Sequence, residues 1–105
     1  MTRVVIRAEA EADLDAIFLF VAEQSIERAA RLSRRLRARC QILATHPMAG
    51  RPRDDLGEGM RGLFERPYVL IYRLIDDVAE IVAVLHAMRD LPAAISARIT
   101  SDRKA

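Results

Sequence analysis

Two apolar runs separated by two residues, "YVLIYRLI" (68–75) and "VAEIVAVLH" (78–86), constrain the fold of this chain more than any other feature. Valine, isoleucine and tyrosine suit the pleated backbone, and Asp76-Asp77 between the runs suits a tight hairpin turn. The first run is apolar on both faces apart from Arg73, as a central strand is. Tyr68 and Tyr72, four residues apart, fall on one face with Leu70 and Leu74 and read as core. In the second run His86 alternates with Val84, Val82 and Glu80. A bond to backbone or to Glu80 at the sheet edge is therefore the plain structural role for its ring.

The rest of the chain supplies partners for that hairpin. "RVVIR" (3–7) and "MRGLFE" (60–65) read as further strands. Residues 8–24 carry acids early, as a helix N-terminus favours, and Leu14, Ile17, Phe18 and Val21 mark one helical face. Yet "AIFLFVA" (16–22) is apolar all the way round. Leu19 and Phe20 are thus expected on a partner surface, unless both faces of this helix pack inside the domain. Ser25 caps a second helix running to about Thr45, with Ala29, Leu32, Leu36, Cys40 and Leu43 along one stripe. Cys40 there reads as a small core residue. Arg28, Arg31, Arg34, Arg35, Arg37 and Arg39 fill its other positions, with no acid from 28 to 40. They form a solvated face, track a phosphate backbone, or receive the acidic groups of a partner.

"HPMAGRPRDDLGEG" (46–59) is rich in glycine and proline and reads as a loop long enough to carry function. The tail "LPAAISARITSDRKA" has room for a short helix, and its polar end is expected to fray. The order is β-α-α-β-β-β, an α+β domain with a helical hairpin packed on one face of a mostly antiparallel sheet. One domain is expected over residues 1–92, with residues 93–105 as a C-terminal tail.

Several function classes recede. No apolar run reaches a membrane span, and "MTRVVIRAEAEADLD" turns acidic too early for a signal peptide. The single cysteine allows no internal disulfide, so a cytoplasmic location fits. A net charge of +2 is too small to make the whole domain a nucleic-acid binder, and no stable direct binding of nucleic acid is expected. Sixteen of the 17 basic residues are arginine, good anion anchors that stay protonated; a GC-rich genome would give the same bias. No serine sits in a nucleophile-elbow context, no glycine loop cradles phosphate, and two histidines with one distant cysteine make a poor metal set. No cofactor is expected.

"EADLDAI", "LATHPMAGRPRDDLGEGMRGL" and "YVLIYRL…VAEIVAVLHAMRD" together resemble the RelE/ParE toxin superfamily, and within it the ParE branch of type II toxin–antitoxin systems. The resemblance covers residues 4–90, and the segment P-x-x-G-R-x-R-x-D-L (47–56) is its most specific part. It implies a toxin neutralised by a cognate ParD-like antitoxin, whose C-terminal segment lies across the helical hairpin and sheet in a hetero-oligomer. ParE-like members inhibit DNA gyrase by binding, and RelE-like members cut mRNA on the ribosome.

The residues must choose between these. Cleavage through the 2′-OH needs a base, cations at the phosphorane and an acid for the leaving oxygen. Arg61, Arg73 and Arg89 offer the cations, and His86 is the only base or acid in the sheet. His46, before Pro47, is expected to meet helix carbonyls. This is thin acid–base equipment, so a binding toxin without catalytic residues is the favoured reading, with a RelE-type interferase as the alternative. Arg61, Arg73, His86 and Arg89 stand as target or phosphate contacts; Arg89 and Asp90 also suit a structural tie to each other or to Arg51 and Arg53. Leu19, Phe20, Arg31 and Arg35 stand as antitoxin contacts.

Overall fold

The computed structural model describes the backbone of residues 1–104 and the side chains of residues 1–99. In chain order the elements are β1 (Arg3–Ile6), α1 (Ala8–Ala22), α2 (Ile26–Gln41), β2 (Arg51–Pro52), β3 (Met60–Glu65), β4 (Tyr68–Ile75), β5 (Val78–His86) and α3 (Leu91–Lys104). The strands form one sheet in the order β1-β5-β4-β3-β2, with only β1 parallel to its neighbour. The expected α+β architecture holds: the helical hairpin lies on a mostly antiparallel sheet. Asp76 enters the left-handed region with φ of 54° and closes the β4–β5 hairpin, a conformation aspartate tolerates through its short polar side chain.

One face of the sheet carries the helical hairpin. Leu14, Leu36, Cys40 and Leu43 pack there on Tyr68, Leu70, Tyr72, Ile81 and Val84. Ser25 Oγ accepts the Arg28 amide at 3.2 Å and starts α2 as its residue type favours. The arginines of α2 divide by position. Arg35, Arg37 and Arg39 reach Glu65, Glu11 and the Phe64 carbonyl, tying the helix to β3 and α1. Arg28, Arg31 and Arg34 have no ion-pair partner among the described residues.

The other face is covered too, which departs from the expectation of helices on one side only. The tail, read from the sequence as room for a short helix, folds as α3, and Leu91, Ile95 and Ile99 close over Met60, Val69, Ile71, Val82 and Leu85. A strand as apolar as β4 leaves Val69 and Ile71 on this face, and fully burying side chains of that size contributes on the order of 2 kcal/mol each. Asp90 does not pair with Arg89 or the loop arginines; its carboxylate accepts the Ala93 amide at 3.1 Å and caps α3.

A bulge decides where His86 points. Ile71 pairs with Ala83 but Tyr72 pairs with Ile81, so Val82 is an extra residue in β5. Val82 packs with the α3 layer while Ile81 and Val84 pack with the hairpin layer. His86 therefore shares its face with Val84 and not with Glu80, correcting the simple alternation read from the sequence. β1 reaches only as far as Ile81, which leaves the outer edge of β5 uncovered beyond the bulge. Two side chains close it. Asp13 of α1 accepts the Val84 amide at 2.9 Å, and Arg98 of α3 donates to the Val82 carbonyl at 2.9 Å. Arg98 and Asp13 also bond to each other through two contacts of 2.8 and 3.0 Å, so the pair clasps both helical layers around the strand edge.

Candidate functional site

Past that clasp, α1 and the end of β5 diverge and leave a cavity of about 430 Å³. Ile17 and Phe20 of α1 form one wall, Tyr68, Val84 and Leu85 the floor, and His86 and Arg89 the far rim. Phe20 is 71% exposed. A second cavity of about 310 Å³ continues on the other side of Tyr68, lined by Val21, Leu32, Pro67, Arg28, Arg31 and Arg35. Tyr68 joins the two, and its hydroxyl has no hydrogen-bond partner among the described residues. The result is a groove that is apolar where Ile17 and Phe20 line it, with three arginines at one end and Arg89 at the other.

The ring of His86 is fixed by local structure. The Met88 amide donates to Nδ1 at 3.1 Å, so that nitrogen bears a lone pair, and the ring meets Tyr68 edge-on at 5.5 Å between centroids. A backbone bond is thus its role in the fold, as expected. Asp13 is the carboxylate in this cavity, and its oxygens are already engaged by Arg98 and the Val84 amide. Among the described residues, the cavity therefore offers His86 no free carboxylate. His46, expected at the helix carbonyls, meets the Ile42 carbonyl through its backbone amide at 2.8 Å, while its ring Nδ1 meets Thr45 Oγ1 at 2.9 Å.

The four residues expected at a target or phosphate do not converge. Arg73 lies on the α3 face and binds Glu80 through contacts of 2.9 and 2.8 Å. Five residues of strand separate Arg73 from Tyr68, the partner of His86, which is roughly 16 Å at the usual rise. Arg61 is spent on the loop: its guanidinium donates to the Gly50 and Met48 carbonyls at 3.0 and 3.3 Å. Only His86 and Arg89 share a cavity, and they share it with Phe20. Of the residues expected at an antitoxin, Phe20, Arg31 and Arg35 line the groove, whereas Leu19, 66% exposed, lies outside its lining. Sequence reasoning missed Tyr68 as the junction, since its place among Leu70 and Tyr72 reads as core and it lies between the two cavities only in the folded chain. It also missed Pro67 and the Asp13–Arg98 clasp, whose members are 85 residues apart.

Cys40 is fully buried, and desolvation pushes its thiol up to about 11, so it offers no nucleophile at neutral pH.

A sequence model described as the ParE toxin of the type II toxin–antitoxin system parDE matches residues 4–91. The chain belongs to the ParE toxin family. Relatives include toxin ParE1 of Caulobacter vibrioides, 37% identical over 78 residues that make up 73% of this chain and 80% of that one. Toxin ParE3 of the same organism is 30% identical over 94 residues, covering 89% and 94% of the two chains. A solved structure titled as the chromosomal ParDE TA system from P. aeruginosa superposes with a TM-score of 0.70 at 26% identity, over 82% of this chain and 96% of that one. The toxin is thus a ParE-type member of a toxin–antitoxin system, and among its described residues no helix is long and apolar enough to cross a membrane.

Proposed function

We propose that this toxin acts by binding DNA gyrase in the cytoplasm, without catalytic residues or a cofactor, and that a cognate ParD-like antitoxin neutralises it by filling the groove around Tyr68. The observation that carries the antitoxin reading is the groove's pattern of charge and apolar wall. Three arginines border one end and Arg89 the other, with Phe20, Ile17 and Leu32 between. An acidic, amphipathic segment that folds on contact matches such a surface. Phe20, Arg31 and Arg35 are its proposed contacts, with Leu19 on the exposed helix flank beside them. His86 and Arg89 share that cavity and are better assigned to the antitoxin than to a separate target site. Arg61 and Arg73 are occupied by the fold and are proposed as structural.

The scatter of Arg61, Arg73 and His86 over two faces supports binding over phosphoryl chemistry, which needs its cations around one phosphate. The test is to induce the toxin alone and follow plasmid supercoiling, the DNA-damage response and transcript integrity. Lost supercoiling with intact transcripts is the expected result; codon-phased mRNA cuts would establish the RelE-type alternative instead. Arg31→Glu with Arg35→Glu should release the antitoxin encoded by the neighbouring reading frame while toxicity persists.

A further inference from the structure

We infer that the loop at residues 46–51 is the toxin's target-facing platform, docking an acidic protein surface that presents an apolar side chain. The inference rests on the reading that the toxin acts by binding a protein, and it adds where that protein sits.

The loop is immobilised from beneath by two side chains of the sheet. Tyr72, fully buried, accepts the Gly50 amide at 2.9 Å and donates to the Pro47 carbonyl at 2.7 Å through one hydroxyl. Arg61 holds the carbonyls of Gly50 and Met48 from the next strand. The Ala49 amide closes a turn on the His46 carbonyl at 3.0 Å, and the His46 amide bonds back to Ile42 at 2.8 Å. Gly50 is required by this approach: a Cβ there would stand 2.6 Å from Tyr72 Cε1 and 3.0 Å from the Gly62 carbonyl oxygen.

Met48 is 64% exposed on the fixed backbone, and with Ile42, Pro47 and Ala49 it borders an apolar concavity of about 580 Å³. A surface ordered in advance loses little conformational entropy on docking, and exposed methionine adapts to varied apolar partners. No carboxylate occurs in the sequence between residues 28 and 53, and the exposed Arg51 follows the apolar residues of the loop. Arg51 has no partner among the described residues. Of the two acids that follow in the sequence, Asp54 and Asp55, the second is held by Arg53 at 2.8 Å. The complementary occupant is therefore acidic, with an apolar group for the concavity. Tyr72, which anchors the platform, is four residues along β4 from Tyr68, roughly 13 Å, so platform and groove occupy different ends of the sheet.

The test uses full-length Met48→Glu and Arg51→Glu, with Met48→Leu as the conservative control. Growth arrest on induction, binding of purified DNA gyrase, copurification with the antitoxin of the neighbouring frame, and thermal melting are read for each. The expected result is a loss of tenfold or more in growth arrest and gyrase binding for both charge variants. Met48→Leu behaves as wild type, and every variant keeps its antitoxin and its melting temperature. Met48→Glu and Arg51→Glu arresting growth as wild type does would overturn the platform. So would loss of antitoxin with gyrase binding intact, or a concentration-dependent wild-type dimer in sedimentation that Met48→Glu abolishes. If wild-type toxin arrests growth without binding gyrase, the gyrase assignment falls, while the arrest produced by Met48→Glu still decides the platform.

Discussion

Tyr68 and Tyr72 lie on the same face of β4, four residues apart, both buried against the helical hairpin. Their hydroxyls do opposite things. That of Tyr72 is saturated, bonded to an amide and a carbonyl of the glycine–proline loop, and it makes that loop part of the core. That of Tyr68 is unpartnered among the described residues and opens between two cavities. One residue type at one strand phase thus makes a rigid end and a receptive end. The difference arises from what lies above each ring. Over Tyr72 the chain returns tightly through a position that only glycine fits, whereas Tyr68 lies between two cavities lined by α1 and α2.

The comparison breaks most severely at Gly50. Gly50→Ala drives a methyl into Tyr72 and the Gly62 carbonyl, and a destabilisation of about 3 kcal/mol is expected from such overpacking, read by urea denaturation. At the receptive end the equivalent anchor is the clasp. Asp13→Ala removes the partner of the Val84 amide and of Arg98 together; a loss of about 2–3 kcal/mol is expected, with faster hydrogen exchange at the Val84 amide. A normal exchange rate there would show that the strand edge does not depend on the clasp.

The two tyrosines can then be compared directly. Tyr72→Phe leaves a buried amide and carbonyl unpaired and should cost about 2 kcal/mol. Tyr68→Phe strands nothing and should stay within about 0.5 kcal/mol of wild type; equal losses would refute the division of roles. The smallest effect comes from the outer clamp on α1. Arg37 donates to Glu11 at 3.0 and 2.8 Å and holds that carboxyl below its ordinary value of 4.5. A depressed carboxylate stabilises the fold above its unfolded pKa, and that contribution is lost as pH falls through the folded one. Both side chains are over one-third exposed, 43% and 41%, so the acid-induced loss should be below about 1 kcal/mol. Glu11→Gln should flatten it in pH titrations of stability.

The sequence by itself determined the β4–β5 hairpin, the two helices and the order in which the main elements follow one another along the chain, because each rests on short-range periodicity and on end signals such as Ser25 and Asp76. It also placed Cys40, Tyr68 and Tyr72 in the core, and it carried the family resemblance. Only tertiary structure decided the rest. The extra residue at Val82 turned His86 away from Glu80, and a one-residue shift in pairing has no signature in an unbroken apolar run. Asp90 became a cap because the tail found the uncovered face of β4, an apolar surface large enough to order a helix that composition alone would leave fraying. Arg61 and Arg73, legible as anion anchors in one dimension, were taken by nearby carbonyls and by Glu80. The groove and the platform exist because strands diverge from helices at one end and a loop returns onto Tyr72 at the other. Those are distances between segments far apart in the chain, and no local pattern encodes them.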